Sequence, residues 1–204
     1  ILDILNHLGT TLSSRRSAEI ALMPIDDPEI DEFIVAKKDF WEHGNEHRHS
    51  IVFHSKPTKW ELSYIFDRMV EAGGSEPGFV NAEAAKRRAP YFKGGNPCFE
   101  ILLGNKSFCN LVECDLGKFL SDTPALERAM WVIARANYRQ TCVNLDDGVL
   151  QRSWHELNEF LRLCGVGLTG IVKFLDFHGP ESPNRLRNLK YQAHTGANSM
   201  ADTL

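Results

Sequence analysis

Residues 51–74 read IVFHSKPTKWELSYIFDRMVEAGG and contain one complete strand–helix unit. The apolar run Ile51–His54 predicts a β-strand. Thr58 and Glu61 have the spacing of a capping box, which predicts that a helix begins at this point. Apolar residues then recur at helical spacing, and the two final glycines predict the end of the helix. The stretch therefore predicts a strand followed directly by an amphipathic α-helix.

The same alternation of short strands and capped helices extends outward in both directions. The starts of other helices are predicted from aspartate or threonine before proline and from a second capping box, and a helix end is predicted from a glycine. Helices are predicted to begin near Asp27, Thr58, Thr123, Ser153 and Asn184. Strands are predicted at Ile20–Met23, Ile51–His54, Cys98–Leu103 and Gly170–Phe174. This alternation is typical of an α/β fold with largely parallel strands.

The composition is that of a water-soluble globular protein. Of the 204 residues, 43% are hydrophobic and 25% are charged, and the formal net charge of −4 argues against a general nucleic-acid-binding surface. No apolar run is long enough to span a bilayer, and no segment resembles a signal peptide. Five cysteines without a secretory context indicate reduced thiols and a cytoplasmic location rather than a disulfide scaffold.

The two ends of the chain suggest that it is part of something larger. It begins at Ile1 rather than Met, and its final segment still has the pattern of a helix when it reaches Leu204. We therefore expect residues 1–204 to be a single domain that is incomplete at both ends.

The most unusual local pattern follows the pair Gly94-Gly95. Asn96, Cys98 and Glu100 alternate along a predicted strand, so their side chains would share one face. There the amide could orient a substrate hydroxyl, the carboxylate could take its proton, and the sulfur could perform the bond-making or radical step. A nearby carboxylate disfavours a thiolate, which favours hydrogen-atom transfer over nucleophilic attack. The alternative interpretation is a buried structural thiol.

A second cysteine, Cys109, follows Cys98 after eleven positions. A turn at Gly104-Asn105 would bring its sulfur back toward the first site, as a dithiol redox partner requires. From the residues alone, a small apolar side chain in a core strand is the favoured interpretation.

Two segments of this chain, Asn96-x-Cys98-x-Glu100 and Phe108–Leu111, together resemble the active-site signature of the ribonucleotide reductase large subunit. The short interval between the two cysteines is similar to that of the adenosylcobalamin-dependent class (class II), although a diiron-radical system stays open. Four further segments resemble family segments in the family's order: Leu12–Leu22, Asp27–Phe33, Glu76–Asn81 and Cys164–Ile171.

The resemblance implies both a fold and a chemistry. The fold would be a ten-stranded α/β barrel with the catalytic cysteine on a loop inside it, and this chain would be its central portion. Cys98 would become a thiyl radical and abstract the 3′ hydrogen of the ribose, Glu100 would accept the 3′-hydroxyl proton, and Asn96 would hydrogen-bond the sugar. Cys109 would be one member of the cysteine pair that supplies two electrons and ends as a disulfide. We expect the side chains of Asn96, Cys98 and Glu100 to face one closed cavity.

The resemblance also implies partners. These are a ribonucleotide diphosphate or triphosphate substrate, adenosylcobalamin, a dNTP or ATP effector bound mostly outside this chain, a thioredoxin- or glutaredoxin-type reductant, and a second copy in a homodimer. Ser14, Arg15, Arg16 and Ser17 fall in the segment similar to the family's specificity loop. Guanidinium groups suit nucleobase carbonyls and phosphates, so Arg15 is predicted to reach the substrate. The alternative is a pair of solvated arginines.

The chain also departs from the family pattern. The upstream member of the redox pair has no match, because Cys98 is the first cysteine. The loop that grips the substrate phosphate and the cysteines that reload the disulfide would come after Leu204. Thr10–Ser14 replaces a glycine-rich entry to the specificity loop, and Glu46–Ser50 stands where an asparagine-rich stretch is common. We therefore expect the chain alone to be inactive.

A histidine cluster supports a competing hypothesis, a non-catalytic zinc- or nucleotide-binding module. Its members are His43, His47, His49 and His54. On a helix His43 and His47 would share a face and could bind zinc. Gly44 and Asn45 lie between them and disfavour the helix, so a polar surface loop is favoured and no metal site is predicted. A third hypothesis is an inert relic.

Overall fold

The computed structural model describes residues 19–38, 47–144, 148 and 150–204. The chain divides into two compact units, residues 1–105 and residues 106–204. The prediction of a single incomplete domain stays a prediction. The predicted specificity-loop residues Ser14, Arg15, Arg16 and Ser17 lie outside the described residues, as does His43.

The first unit is built on a three-stranded parallel sheet in the order β1-β2-β3. Its strands and the helices that follow them are β1 (Glu19–Pro24), α1 (Ile30–Ile34), β2 (His47–Phe53), α2 (Lys59–Ala72), β3 (Gly78–Asn81) and α3 (Ala82–Arg88). The capping box of Thr58 and Glu61 is present, and Gly73 ends α2 in the left-handed conformation. The predicted parallel α/β arrangement is confirmed here.

Two apolar clusters form the core of this unit. The first packs α1 and α2 on the sheet and includes Phe33, Ile51 and Ile65. The second includes Val80 and Phe92, and the side chain of Phe99 is packed against it. Because Phe99 directly follows Cys98, the second cluster attaches the cysteine-bearing segment to the unit.

The predicted strand Cys98–Leu103 is wrong over most of its length. A two-residue antiparallel hairpin is present instead, with β4 (Gly94–Gly95) paired to β5 (Leu102–Leu103). The residues between them form a turn, in which Asn96 Oδ1 accepts a hydrogen bond from the backbone amide of Ile101 at 2.9 Å. An asparagine side chain that bonds to nearby backbone competes with strand pairing. Alternation of faces therefore does not apply to residues 96–100.

The second unit pairs two parallel strands and covers them with helices. Its elements are β6 (Asn110–Asp115), α4 (Thr123–Thr141), α5 (Arg152–Leu161), β7 (Cys164–Thr169), α6 (Ile171–His178) and α7 (Ser182–Ala201). Leu116, Leu126 and Phe174 are among the side chains buried between strands and helices. The helices predicted near Thr123 and Asn184 are confirmed.

Two predictions for this unit are wrong. The predicted strand Gly170–Phe174 is mostly helix, and the strand lies earlier, at Cys164–Thr169. Cys164 is therefore a strand residue, because α5 ends before it with Arg162 in the left-handed conformation. Ser153 does not cap α5, because it lies inside the helix after the N-cap Gln151. Its hydroxyl accepts a hydrogen bond from Lys106 Nζ at 2.8 Å. Short apolar runs do not distinguish a buried strand from a helix by periodicity alone.

The described strands form sheets of three, two and two members, so the ten-stranded barrel stays an expectation. Among the helices that the structure describes, none combines the length and the apolar character needed to cross a bilayer.

Asn137 connects α4 to both strands of the second unit, which leads to a prediction. Its fully buried Nδ2 donates hydrogen bonds to the carbonyls of Gly165 at 2.8 Å and Asn110 at 3.3 Å. We expect Asn137→Ala to lower the free energy of unfolding by about 2 kcal/mol, because two carbonyls lose their donor and a cavity forms. Urea denaturation measures this loss. The control is Asn198→Ala at an exposed site of α7, and equal effects of the two variants would contradict the role of Asn137.

Candidate active site

The turn between β4 and β5 carries the three predicted catalytic residues. The Phe99 amide donates to the Asn96 carbonyl at 2.8 Å, and the Asn96 amide donates to the Ile101 carbonyl at 3.4 Å. Asn96 is 8% exposed. Its side-chain oxygen already accepts a hydrogen bond inside the turn, so the amide Nδ2 is the group that could donate to a sugar oxygen. The structural role of Asn96 in this chain is therefore to close the turn.

The structure places Cys98 and Glu100 in the same turn, and both are exposed. Cys98 lines a pocket of about 250 Å³ together with Arg48, Ser50 and Gly78 of strands β2 and β3. Glu100 does not line this pocket. The expectation that Asn96, Cys98 and Glu100 face one closed cavity is therefore wrong for the part of the chain that the structure describes: the sulfur lies on the wall of an open pocket.

Cys109 lies in the second unit, directly before β6, and is exposed. Its role as one member of a redox-active cysteine pair stays a prediction. Two other cysteines of this unit are poor candidates for reactive thiols. Burial raises the pKa of the Cys114 thiol, and burial followed by the influence of Cys142 raises the pKa of Cys164 to about 11. Both stay protonated near neutral pH, which disfavours nucleophilic attack and thiol–disulfide exchange, because these need the thiolate.

An ionic cluster beside the Cys98 pocket was not predicted from the sequence. Glu76 contacts Lys37 Nζ at 2.7 Å, His49 Nδ1 at 2.8 Å and Arg48 Nη1 at 3.6 Å. His49 is 1% exposed, and the ring of Phe33 packs against it edge-on. His49 and Glu76 are 27 positions apart. The sequence motif around Glu76 predicts a turn but does not indicate which residues contact its carboxylate. The pairing of these residues is a product of the fold.

The carboxylate of Glu76 is strongly stabilised in its charged form. Burial alone would raise its pKa, but hydrogen bonds from His49 and Lys37, together with their charges, outweigh burial and hold the pKa of Glu76 at about 2. The pocket wall therefore carries one cationic side chain, that of Arg48, beside the anionic Glu76.

The zinc hypothesis gains no support from the histidines that are described. His49 is directed to Glu76, and His54 Nε2 lies 3.4 Å from a carboxylate oxygen of Asp26. Within residues 19–38, 47–144, 148 and 150–204, no group of three or more His, Cys, Asp or Glu side chains is arranged to hold a metal ion.

Sequence comparison gives a consistent set of relatives. No family model matches the chain. It is 29% identical over 189 residues to the adenosylcobalamin-dependent ribonucleoside-triphosphate reductase of Lacticaseibacillus paracasei, a match that covers 83% of this chain and 23% of the relative. It is 30% identical to the enzyme of the same name from Lactobacillus helveticus and 31% identical to that from Lactobacillus acidophilus, with 85% of this chain and 24% of each relative covered. The chain therefore spans about a quarter of the length of these relatives.

Structural comparison agrees in fold. The crystal structure of a B12-dependent (class II) ribonucleotide reductase superimposes with a TM-score of 0.67 and 24% sequence identity, over 85% of this chain and 24% of that one. This likeness concerns the fold, whereas the sequence matches carry the family name. The resemblance seen in the sequence is thus confirmed: over most of its length the chain is similar to one segment of the adenosylcobalamin-dependent ribonucleotide reductases.

Proposed function

We propose that this chain is the catalytic-core segment of a ribonucleotide reductase, which reduces ribonucleotides to 2′-deoxyribonucleotides for DNA synthesis by thiyl-radical chemistry. The observation that carries the proposal is the position of Cys98, held in a tight turn on a pocket wall within a chain similar to this family. The relatives are named ribonucleoside-triphosphate reductases, so a ribonucleoside triphosphate is the proposed substrate.

Each residue of the turn has a role in the proposed reaction. The sulfur radical of Cys98 takes the 3′ hydrogen atom of the ribose, and the carboxylate of Glu100 takes the 3′-hydroxyl proton. The 2′-hydroxyl then leaves as water. Two thiols, one of them Cys109, give up two electrons and form a disulfide, and Cys98 returns the hydrogen atom to the sugar. Asn96 Nδ2 donates a hydrogen bond to the ribose.

The pocket beside Cys98 offers polar groups to a ligand. The pocket wall beside it contains Arg48 and Ser50, which can contact the polar groups of a nucleotide. The same wall carries the carboxylate of Glu76, so it presents both a cationic and an anionic group.

Adenosylcobalamin is the proposed cofactor, and when bound it supplies the radical that initiates such chemistry. The pocket beside Cys98 has a volume of about 250 Å³, far less than a corrin ring with its nucleotide tail occupies. The described residues therefore do not fit the cofactor by themselves, and its site would lie elsewhere in the complete protein. A dNTP or ATP effector, a thioredoxin- or glutaredoxin-type reductant and a homodimer are further proposals drawn from the family.

The test is turnover of the complete protein after Cys98→Ser. We expect reduction of ribonucleoside triphosphates to fall to background, because a hydroxyl cannot replace the thiol in hydrogen-atom transfer. Cys114→Ser is the matched control, since Cys114 is a buried thiol on β6 with no role in the proposed reaction; it should retain turnover provided that it folds. Circular dichroism verifies folding of both variants. Turnover that survives Cys98→Ser would refute the role of Cys98.

A further inference from the structure

The backbone of the cysteine-bearing turn is strained at Phe99. This residue has φ = 61°, the left-handed region that side chains rarely adopt. Such a conformation costs about 1–3 kcal/mol and persists only where surrounding contacts enforce it. The strained residue separates the two predicted catalytic side chains, Cys98 and Glu100.

Three contacts hold Phe99 in this conformation. The ring of Phe99 covers the backbone of Gly95 so closely that a Cβ on Gly95 would lie 2.8 Å from two ring carbons. On another side the ring meets Phe92 edge-on, with 6.2 Å between ring centroids, in the apolar cluster under α3. The Phe99 amide is tied to the Asn96 carbonyl at 2.8 Å. The ring of Phe99 thus contacts both Gly95 and Phe92, while Cys98 and Glu100 on either side of it in the chain are exposed.

We propose that Phe99 is a positioning residue: its ring, clamped between Gly95 and the apolar cluster, holds Cys98 on the pocket wall and Glu100 beside it. Cys98 and Glu100 are exposed, and neither belongs to the apolar clusters of the first unit. The turn between them is therefore anchored by the ring of Phe99, which packs against the second cluster. The catalytic meaning of this clamp rests on the proposed function, whereas the clamp itself is a property of this chain.

Mobility of Cys98 tests the clamp directly. A nitroxide spin label is attached to Cys98 in a background with Cys109, Cys142 and Cys164 replaced by Ser, and peptide mass spectrometry verifies the site. We expect an immobilised spectrum for the parent and for Phe99→Tyr, which keeps the ring. Phe99→Ala and Phe99→Gly should each raise the mobile fraction several-fold, the glycine variant despite its freedom to adopt φ = 61°. Gly95→Ala should do the same by displacing the ring.

The control is Phe66→Ala, which removes a ring of the same unit that packs on Phe79. It should leave the label immobilised. The proposal is overturned if folded Phe99→Ala and Phe99→Gly keep the parent spectrum, or if Phe66→Ala mobilises the label equally.

Kinetics of the complete protein then separate this inference from the proposed function. Phe99→Ala should lower kcat by about 100-fold with KM changed less than about threefold, because misplacement of a reacting group by roughly 1 Å costs this much, and Phe99→Tyr should restore it. A complete protein without reductase turnover would defeat the proposed function while leaving the spin-label result intact. A normal kcat in Phe99→Ala would refute the positioning role.

Discussion

Gly196→Ala is expected to destabilise the second unit by about 3 kcal/mol, near the upper end of the range for overpacked cores. Gly196 lies on α7, where a Cβ would stand 2.3 Å from the carbonyl oxygen of Trp131 on α4 and 3.0 Å from its carbonyl carbon. Both atoms belong to the backbone and cannot rotate away as a side chain would. The two helices must therefore separate along their shared interface.

The expected destabilisation is opposite in sign to the usual effect of replacing glycine by alanine in a helix. In a helix interior, replacement of glycine by alanine normally stabilises a protein by roughly 0.5–1 kcal/mol. Urea denaturation, with hydrogen exchange of peptides from α4 and α7, measures the change. Gly74→Ala is the control, because a Cβ there meets no atom closer than 4.0 Å. An unchanged or increased free energy of unfolding in Gly196→Ala would show that the helices do not approach this closely.

Glu76→Gln is expected to lower the free energy of unfolding of the first unit by about 2 kcal/mol at pH 7. The pKa of Glu76 lies at about 2 rather than at the ordinary glutamate value of 4.5. A shift of this size corresponds to about 3 kcal/mol, and partial contact with solvent reduces the figure. The variant keeps the shape of the side chain but removes the charge that faces Lys37 and His49.

The pH dependence follows from the direction of this shift. A carboxyl group with a lowered pKa in the folded state stabilises that state fully above about pH 4.5. This stabilisation is lost as the pH falls from there toward about 2, where the folded protein also takes up the proton. We expect the parent to lose stability across this window and Glu76→Gln to show a shallower decline.

Glu71→Gln is the matched control for Glu76. Glu71 also pairs with an arginine, Arg68, but at 3.4 Å and with 66% of its own side chain exposed. Exposed pairs of this kind contribute about 0–1 kcal/mol. Equal losses in the two variants, or parallel pH profiles for the parent and Glu76→Gln, would show that the buried cluster does not stabilise the fold.

The open position of Cys98 bears on how the proposed chemistry would be organised. A radical intermediate requires a site from which water is excluded, yet Cys98 and Glu100 are exposed in this chain. The chain spans about a quarter of its relatives' length. On the proposed function, the remaining walls of the site would come from other parts of the complete protein, which agrees with the expectation that the chain alone is inactive.

The sequence by itself determined the features that depend on local contacts. The capping box of Thr58 and Glu61, the stop at Gly73 and the proline-initiated helix at Thr123 all have the predicted form. These signals operate within one or two turns of chain, so neighbouring residues suffice to specify them. The alternation of such units predicted the parallel α/β arrangement, and the order of motifs predicted the family resemblance.

Only the tertiary structure decided the features that join distant segments. Residues 96–101 could be read as a strand, but the Asn96 side chain and the packing of Phe99 on Gly95 fold them into a turn. The ionic cluster at Glu76 needs β2 beside β3, and the strand at Cys164–Thr169 needs β6 as its partner. A local pattern does not encode which distant partner satisfies a backbone amide, a buried charge or an aromatic ring, and those partners fix where the candidate site residues lie.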